Sequence, residues 1–212
     1  MRHHVFISAY LVSVSLVLVA HAAELRTVAV TDQQAPGTDS GVTYDTFDAH
    51  YSGRSVFVFR GPVLNDDGQV AFRANLTGSG VDSTNGLGVW SEGSSNLGLV
   101  ARTGSPAPGS GTFATVKDAT NTDLEIFSPN LNEAGQVAFW GGLSNGNVGI
   151  WSQGSGSLGL VARESTPAPG TPAGVSFWFA GLIPNLSHLL EMPPLLNNAG
   201  QTALVARLKA VE

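Results

Sequence analysis

The sequence contains no cysteine, which excludes disulfides, thiol nucleophiles and zinc–thiolate centres together. Basic residues are scarce as well: 10 Lys and Arg stand against 16 Asp and Glu, for a formal charge of −6. Without a basic cluster to release counterions from a phosphate backbone, no nucleic-acid partner is expected. Three of the five histidines (His3, His4 and His21) fall in the first 22 residues, so only His50 and His188 remain for the rest of the chain. No Ser-His-Asp order and no His cluster with metal-ligand spacing is present. Long apolar runs are missing beyond Val5–Val19, and that one is shorter than the ~20 residues needed to span a bilayer. No run of like charge marks a tail. Gly, Ser, Thr and Asn are plentiful while Lys and Glu are few, a balance that favours short strands and turns over helices.

The one apolar run has the form of an export signal. Arg2, His3 and His4 form a basic start, Val5–Val19 the apolar stretch, and Ala20-His21-Ala22 the small-x-small site for cleavage after Ala22. The chain therefore divides into a signal peptide, 1–22, and a remainder, 23–212. The expected location is secreted, extracellular or periplasmic, with no membrane span after signal removal.

The remainder repeats. "PVLNDDGQVAFRANL" (62–76), "PNLNEAGQVAFWGGL" (129–143) and "PLLNNAGQTALVARL" (194–208) align without gaps. So do "LGVWSEGSSNLGLVARTGSPAPG" (87–109) and "VGIWSQGSGSLGLVARESTPAPG" (148–170), and "LRTVAVTDQQAPG" (25–37) is a degraded copy of the end of that unit. The period is 67 residues from Asn65 to Asn132 and 65 from Asn132 to Asn197. Each period holds four strand candidates arranged as two hairpins, and the proline-rich "PAPG" reads as the crossing between units. The fold class expected is all-β, a β-propeller-like array of four-stranded antiparallel units. There are about three, incomplete at the C-terminus: a partial unit 23–37, units 38–109 and 110–170, and a partial unit 171–212.

"LNDDGQVAF" (64–72) superficially resembles a calcium loop. Across the copies, however, its turn reads Asn65-Asp66-Asp67-Gly68, Asn132-Glu133-Ala134-Gly135 and Asn197-Asn198-Ala199-Gly200. The carboxylates that calcium needs are what vary. Asn at the first position and Gly at the fourth are what a type I turn with a left-handed residue needs. The stretch is read as a hairpin turn, with a weak Asp66/Asp67 ion site as the alternative. Gly68, Gly135 and Gly200 are expected at positive φ, with Gly135→Ala costing more than Gly200→Ala, the latter nearly silent if the half-unit is frayed.

Leu64, Val70 and Phe72, with Leu131, Val137 and Phe139, read as an inward-facing row. Trp90 and Trp151 occupy equivalent positions and read as core. Trp140 and Trp178 lack counterparts and are the candidates for exposed binding aromatics. Arg102 and Arg163 are expected to meet carboxylates or carbonyls at the unit rim. "NLT" (75–77) and "NLS" (185–187) are glycosylation sequons in a host that uses them. The nearest approach to a polar constellation, apart from Asp66/Asp67, is Asp45, Asp48 and His50.

In combination and in order, "LNDDGQVAF", "LNEAGQVAF", "VGIW" and "LVARESTPAPG" resemble the "LNDAGQVAF … GIW … LVAREGDPAPG" repeats of secreted bacterial proteins, many with a C-terminal sorting or anchoring tail. The resemblance covers nearly all of 25–208 and implies a secreted propeller-like domain with no established catalytic residues. Thr202 and Leu204 depart from that pattern, and the chain stops in mid-unit without an anchor, which reads as truncation of a longer propeller.

The function expected is a secreted or cell-surface, non-catalytic repeat module that binds a protein or glycan. No catalytic, cofactor-binding or metal residues are assigned, and self-association through open strand edges is anticipated. The alternatives are an extracellular glycan-active enzyme using a carboxylate pair and a fragment without independent function.

Overall fold

A computed structural model describes residues 25–47, 61–93, 95–116, 129–179 and 193–210. Residues 1–22, expected to be a signal peptide, and Asp48, His50 and the second sequon lie outside these residues. Thirteen short strands and no helix occur among them, so the protein is all-β.

The second unit displays the plan most fully. β6 (Pro129–Leu131), β7 (Val137–Gly142), β8 (Val148–Ser152) and β9 (Gly159–Arg163) form an antiparallel sheet in chain order. The first unit repeats it with β2 (Val63–Leu64), β3 (Val70–Gly78), β4 (Leu87–Ser91) and β5 (Gly98–Arg102). Both last hairpins carry a bulge at the same place, between Val89 and Trp90 and between Ile150 and Trp151. β1 (Val42–Tyr44) extends the first sheet by pairing with the far end of β3, Val42 opposite Gly78 and Tyr44 opposite Leu76. The third unit contributes β10 (Val175–Trp178), β11 (Leu195–Leu196), β12 (Thr202–Ala203) and β13 (Arg207–Ala210). There Val175 faces Ala210 and Phe177 faces Leu208, the same register as β1 on β3. β12 and β13 together thus stand where β3 stands.

The proline segments do more than cross between units. In each copy the chain turns back and pairs with them, through bridges Gln34–Thr43, Pro106–Thr112 and Pro167–Ser176. Proline tolerates this because the ribbon is an edge, where one missing N–H leaves no ladder bond broken. Asp32, Gly104 and Ser165, equivalent positions at the mouth of that turn, all have positive φ (64°, 80° and 64°). The backbone shape holds even where the residue is not glycine.

The core sits between units. Ala71, Val89 and Ala101 of the first sheet pack on Val137, Phe139 and Trp151 of the second. The opposite face of the second sheet, Trp140, Ile150 and Ala162, packs on Phe177, Phe179 and Leu204 of the third. Every residue of β7 and β8 is consequently buried, and the expected alternation of one dry face and one wet face is absent there. Val137 and Phe139 keep their expected inward place, but Leu64 is 69% exposed because its side of the first unit has no neighbouring sheet among the described residues.

Candidate functional site

The three turns line up across the units, and they are where the polar groups of the repeat concentrate. Each is closed by its own Asn. The N–H of Gly68 donates to the Asn65 carbonyl at 3.0 Å, and the N–H of Gln69 donates to Asn65 Oδ1 at 2.9 Å. Asn132 and Asn197 receive the N–H groups of Gln136 and Gln201 in the same way, at 2.8 and 2.9 Å. Gly68, Gly135 and Gly200 have φ of 77°, 73° and 78°, as the left-handed position of the turn requires.

The Asn side chain also has a second role that the turn alone does not demand. Asn65 Nδ2 donates 3.0 Å to the carbonyl of Asn132, and Asn132 Nδ2 donates 2.8 Å to the carbonyl of Asn197. Each amide keeps a further bond to the glutamine of its own turn, Gln69 or Gln136, at 2.8 Å. The result is a ladder of amides that runs through the buried Asn65 and Asn132 and ends on the carbonyl of the exposed Asn197. The exposed flank repeats it: the N–H of Asp66 donates to Glu133 Oε2 at 2.7 Å, and that of Glu133 to Asn198 Oδ1 at 3.1 Å. Glu133 is therefore used between units, and Asp66 contributes its backbone to that contact.

Beside the ladder, the hairpin of one unit abuts the turn of the next. A Cβ on Gly135 would come within 2.7 Å of Gly93 Cα, and one on Gly200 within 2.2 Å of the Gly154 carbonyl. Both sides must be glycine for the units to approach this closely. The remaining space is an open groove of ≈ 360 Å³, lined among others by Ser91, Gly93, Leu99, Gly135, Gln136 and Gln153. Its lining offers hydroxyl, amide and backbone groups and no ionisable side chain. Gln136 Nε2 donates 3.1 Å to the carbonyl of Gln153, and Gln153 Oε1 accepts the N–H of Val137 at 3.0 Å. In the first unit Glu92 takes the place of Gln153, accepts the N–H of Val70 at 3.0 Å and pairs with Arg26 at 2.5 Å. The Arg26 hydrogen bond holds the Glu92 carboxyl below its ordinary range.

The other predicted residues fall elsewhere. Trp90 and Trp151 are fully buried. Each indole N–H donates 3.0 Å to the carbonyl of a proline from the preceding unit, Pro36 or Pro108. Trp140, expected as an exposed binding aromatic, is buried at 2% exposure and meets the edge of Phe179 at 4.9 Å. Its lack of a counterpart reflects the particular face it shares with the third unit. Trp178 is half-buried in β10 opposite Arg207. Arg102 donates to the Asn85 carbonyl and Arg163 to Ser110 Oγ. Asn75 of the first sequon lies within β3 and donates to Thr46 Oγ1 at 2.8 Å. Asp45 gives its backbone N–H to the Asn75 carbonyl. No group of three or more His, Cys, Asp and Glu converges among the described residues.

No curated protein and no solved structure matches the chain. The profile of DUF7453, a family of unknown function, matches residues 8–148 and again residues 114–212, and the chain belongs to that family.

Proposed function

We propose that this is an exported, non-catalytic β-repeat module whose propeller-like units bind a neutral, hydroxyl-rich polymer of the cell surface in the grooves between them. The observation that carries this reading is the groove between the first two units, where hydroxyl, amide and backbone groups stand beside the apolar Leu99, Val100 and Ala134 and no lining side chain is ionisable. Such a surface can exchange hydrogen bonds with sugar hydroxyls but has no acid or base for proton transfer. The repeat supports the same reading. Its two buried asparagines, Asn65 and Asn132, are occupied in joining the units, which leaves the groove to the exposed groups beside them. Export is proposed on Arg2, the Val5–Val19 run and the Ala20-His21-Ala22 site.

The test combines location, binding and turnover. Expressed with its leader, the protein is expected outside the cytoplasm with Ala23 as its first residue. The purified 23–212 chain is expected to be retained on neutral polysaccharide. Ala134→Trp, at an exposed groove position, should abolish retention without a change in thermal midpoint. An intact Met1 on exported protein would remove the localisation. Release of reducing ends from the polysaccharide, or retention indifferent to Ala134→Trp, would remove the binding reading.

A further inference from the structure

We propose that the groove between the first two units selects sugars that carry an acetamido group, which rests on the polysaccharide reading above and names the substituent that the site recognises. The place has a counterpart one repeat earlier, and there it is filled from within the chain. Residues 25–37 repeat 97–109, so Arg26 stands where Gly98 stands, and Gly68 and Glu92 stand where Gly135 and Gln153 stand. Arg26 Nη2 donates 2.5 Å to the carbonyl of Gly68, and its two Nη atoms donate 2.7 and 2.5 Å to the Glu92 carboxylate. A flat group bearing N–H donors thus occupies the first copy of the position.

In the second copy the arginine is gone and an acceptor remains. Gly98 has no side chain to reach across, and the space it leaves is part of the groove of ≈ 360 Å³. Glu92 Oε2 serves two donors at once, Arg26 and the Val70 N–H at 3.0 Å. Gln153 Oε1 receives the equivalent N–H, that of Val137, at 3.0 Å, and its second lone pair can accept another donor. The Gly135 carbonyl, by contrast, is pressed against Gly93, where a Cβ would overlap it. One side-chain acceptor is therefore presented rather than a fork, and because Gln153 is neutral, a cation gains no ion pair from it. The complement is a single N–H on an uncharged flat group.

The rest of the lining specifies what that N–H is attached to. Leu99, Val100 and Ala134 share the groove with Gln153. A lone sugar hydroxyl would satisfy the acceptor and leave these side chains facing water. An acetamido group offers its N–H to the acceptor and its methyl to the apolar wall. Ser91 Oγ, also in the lining, accepts the Gly93 N–H at 3.1 Å and has a hydroxyl proton to donate to the amide carbonyl. Donor, acceptor and methyl of one substituent each have a matching group in this groove.

The probes are a β-1,4-linked pentasaccharide of N-acetylglucosamine and its glucose counterpart, each titrated into the purified 23–212 chain. The acetamido sugar is expected to bind roughly tenfold or more tighter, since only it pairs both the polar and the apolar side of the groove. Gly98→Arg combined with Gln153→Glu copies the Arg26–Glu92 contact and should abolish binding, with the thermal midpoint showing that the variant is folded. Gln153→Glu alone keeps an acceptor and should preserve the preference. Equal affinity for the two sugars, or retention on plain glucan without binding of the acetamido sugar, overturns the acetamido selection and leaves the polysaccharide reading standing. Binding of neither sugar also overturns it, and the retention test then decides the broader reading. Acetamido-sugar binding that survives Gly98→Arg with Gln153→Glu places the site elsewhere and overturns it too. So does equal competition by N-acetylated pentaglycine, which would assign the groove to peptide amides.

Discussion

Gly68, Gly135 and Gly200 share a sequence position and a backbone angle, but they differ in what surrounds them, and this changes the expectation drawn from the repeat. A side chain at any of the three pays for the left-handed conformation, about 1–2 kcal/mol. At Gly68 there is nothing within 4 Å, so Gly68→Ala should cost that much and little more. At Gly135 the new Cβ meets Gly93 backbone at 2.7 Å, and at Gly200 it meets the Gly154 carbonyl at 2.2 Å. Both should therefore lose a further ~1–3 kcal/mol to overpacking against backbone that cannot swing aside. Chemical denaturation of the three variants should place Gly68→Ala as the mildest; a silent Gly200→Ala would mean that the third turn is not seated on the second hairpin. The turn itself was legible because Asn and Gly act within four residues. The contact made by its glycine was not legible, since Gly93 lies in a different unit with no pattern to announce it.

At the level of the hairpin, the Gly-x-Trp pair is the part to test. The sequence places Trp90 and Trp151 in the core on recurrence alone. It does not reveal why a glycine precedes each by two, which becomes clear once the ring is seen lying on that glycine. Trp151→Phe should cost about 1–3 kcal/mol, because the Pro108 carbonyl loses its donor and the smaller ring leaves space. Gly149→Ala should cost a comparable amount in the native background and less beside Trp151→Phe, since the two nearest contacts are with the indole, at 2.8 and 2.9 Å, and the Ala162 carbonyl at 3.0 Å remains. A double-mutant cycle with zero coupling would refute that geometry. The Arg26–Glu92 pair ties the N-terminal segment to the same hairpin in the first unit. Because this carboxyl is held below its ordinary range, its contribution is full above that range and is lost as pH falls through the depressed value. Glu92→Gln, which copies Gln153 and keeps an acceptor for Val70, should flatten the acid limb of the thermal midpoint against pH. Its effect near neutrality should shrink with added salt. An unchanged acid limb would show that other carboxylates set it.

Across the molecule, the fold class and the four-strand unit could be read from the repeat, while the joining of the units could not. Periodicity reports what each copy shares, and the interfaces are built partly from residues the copies do not share, such as Trp140 against Phe179. Two-sided burial of β7 and β8 follows from that stacking and erases the alternation expected of a half-wet sheet. One signal of coupling was nevertheless present: the first turn position is Asn in all three copies and never Asp. A turn accepts Asp there as readily as Asn, because only the side-chain oxygen is used. The ladder does not, because Asn132 Nδ2 must donate to the Asn197 carbonyl and to Gln136 Oε1. Asn132→Asp therefore separates the two roles. It keeps the acceptor for the Gln136 N–H while turning two attractive contacts into a carboxylate facing two oxygens, at a cost of about 1–3 kcal/mol or more. Asn197→Asp, whose amide is exposed and reaches only Gln201 among the described residues, should cost much less. The loss at Asn132 should also be directional. Hydrogen exchange should quicken in β11–β13 before it quickens in β2–β5, because the severed bond is the one between the second and third units. Equal costs at Asn132 and Asn197, with uniform exchange, would reduce the ladder to three independent turns and leave the apolar faces alone to hold the units together.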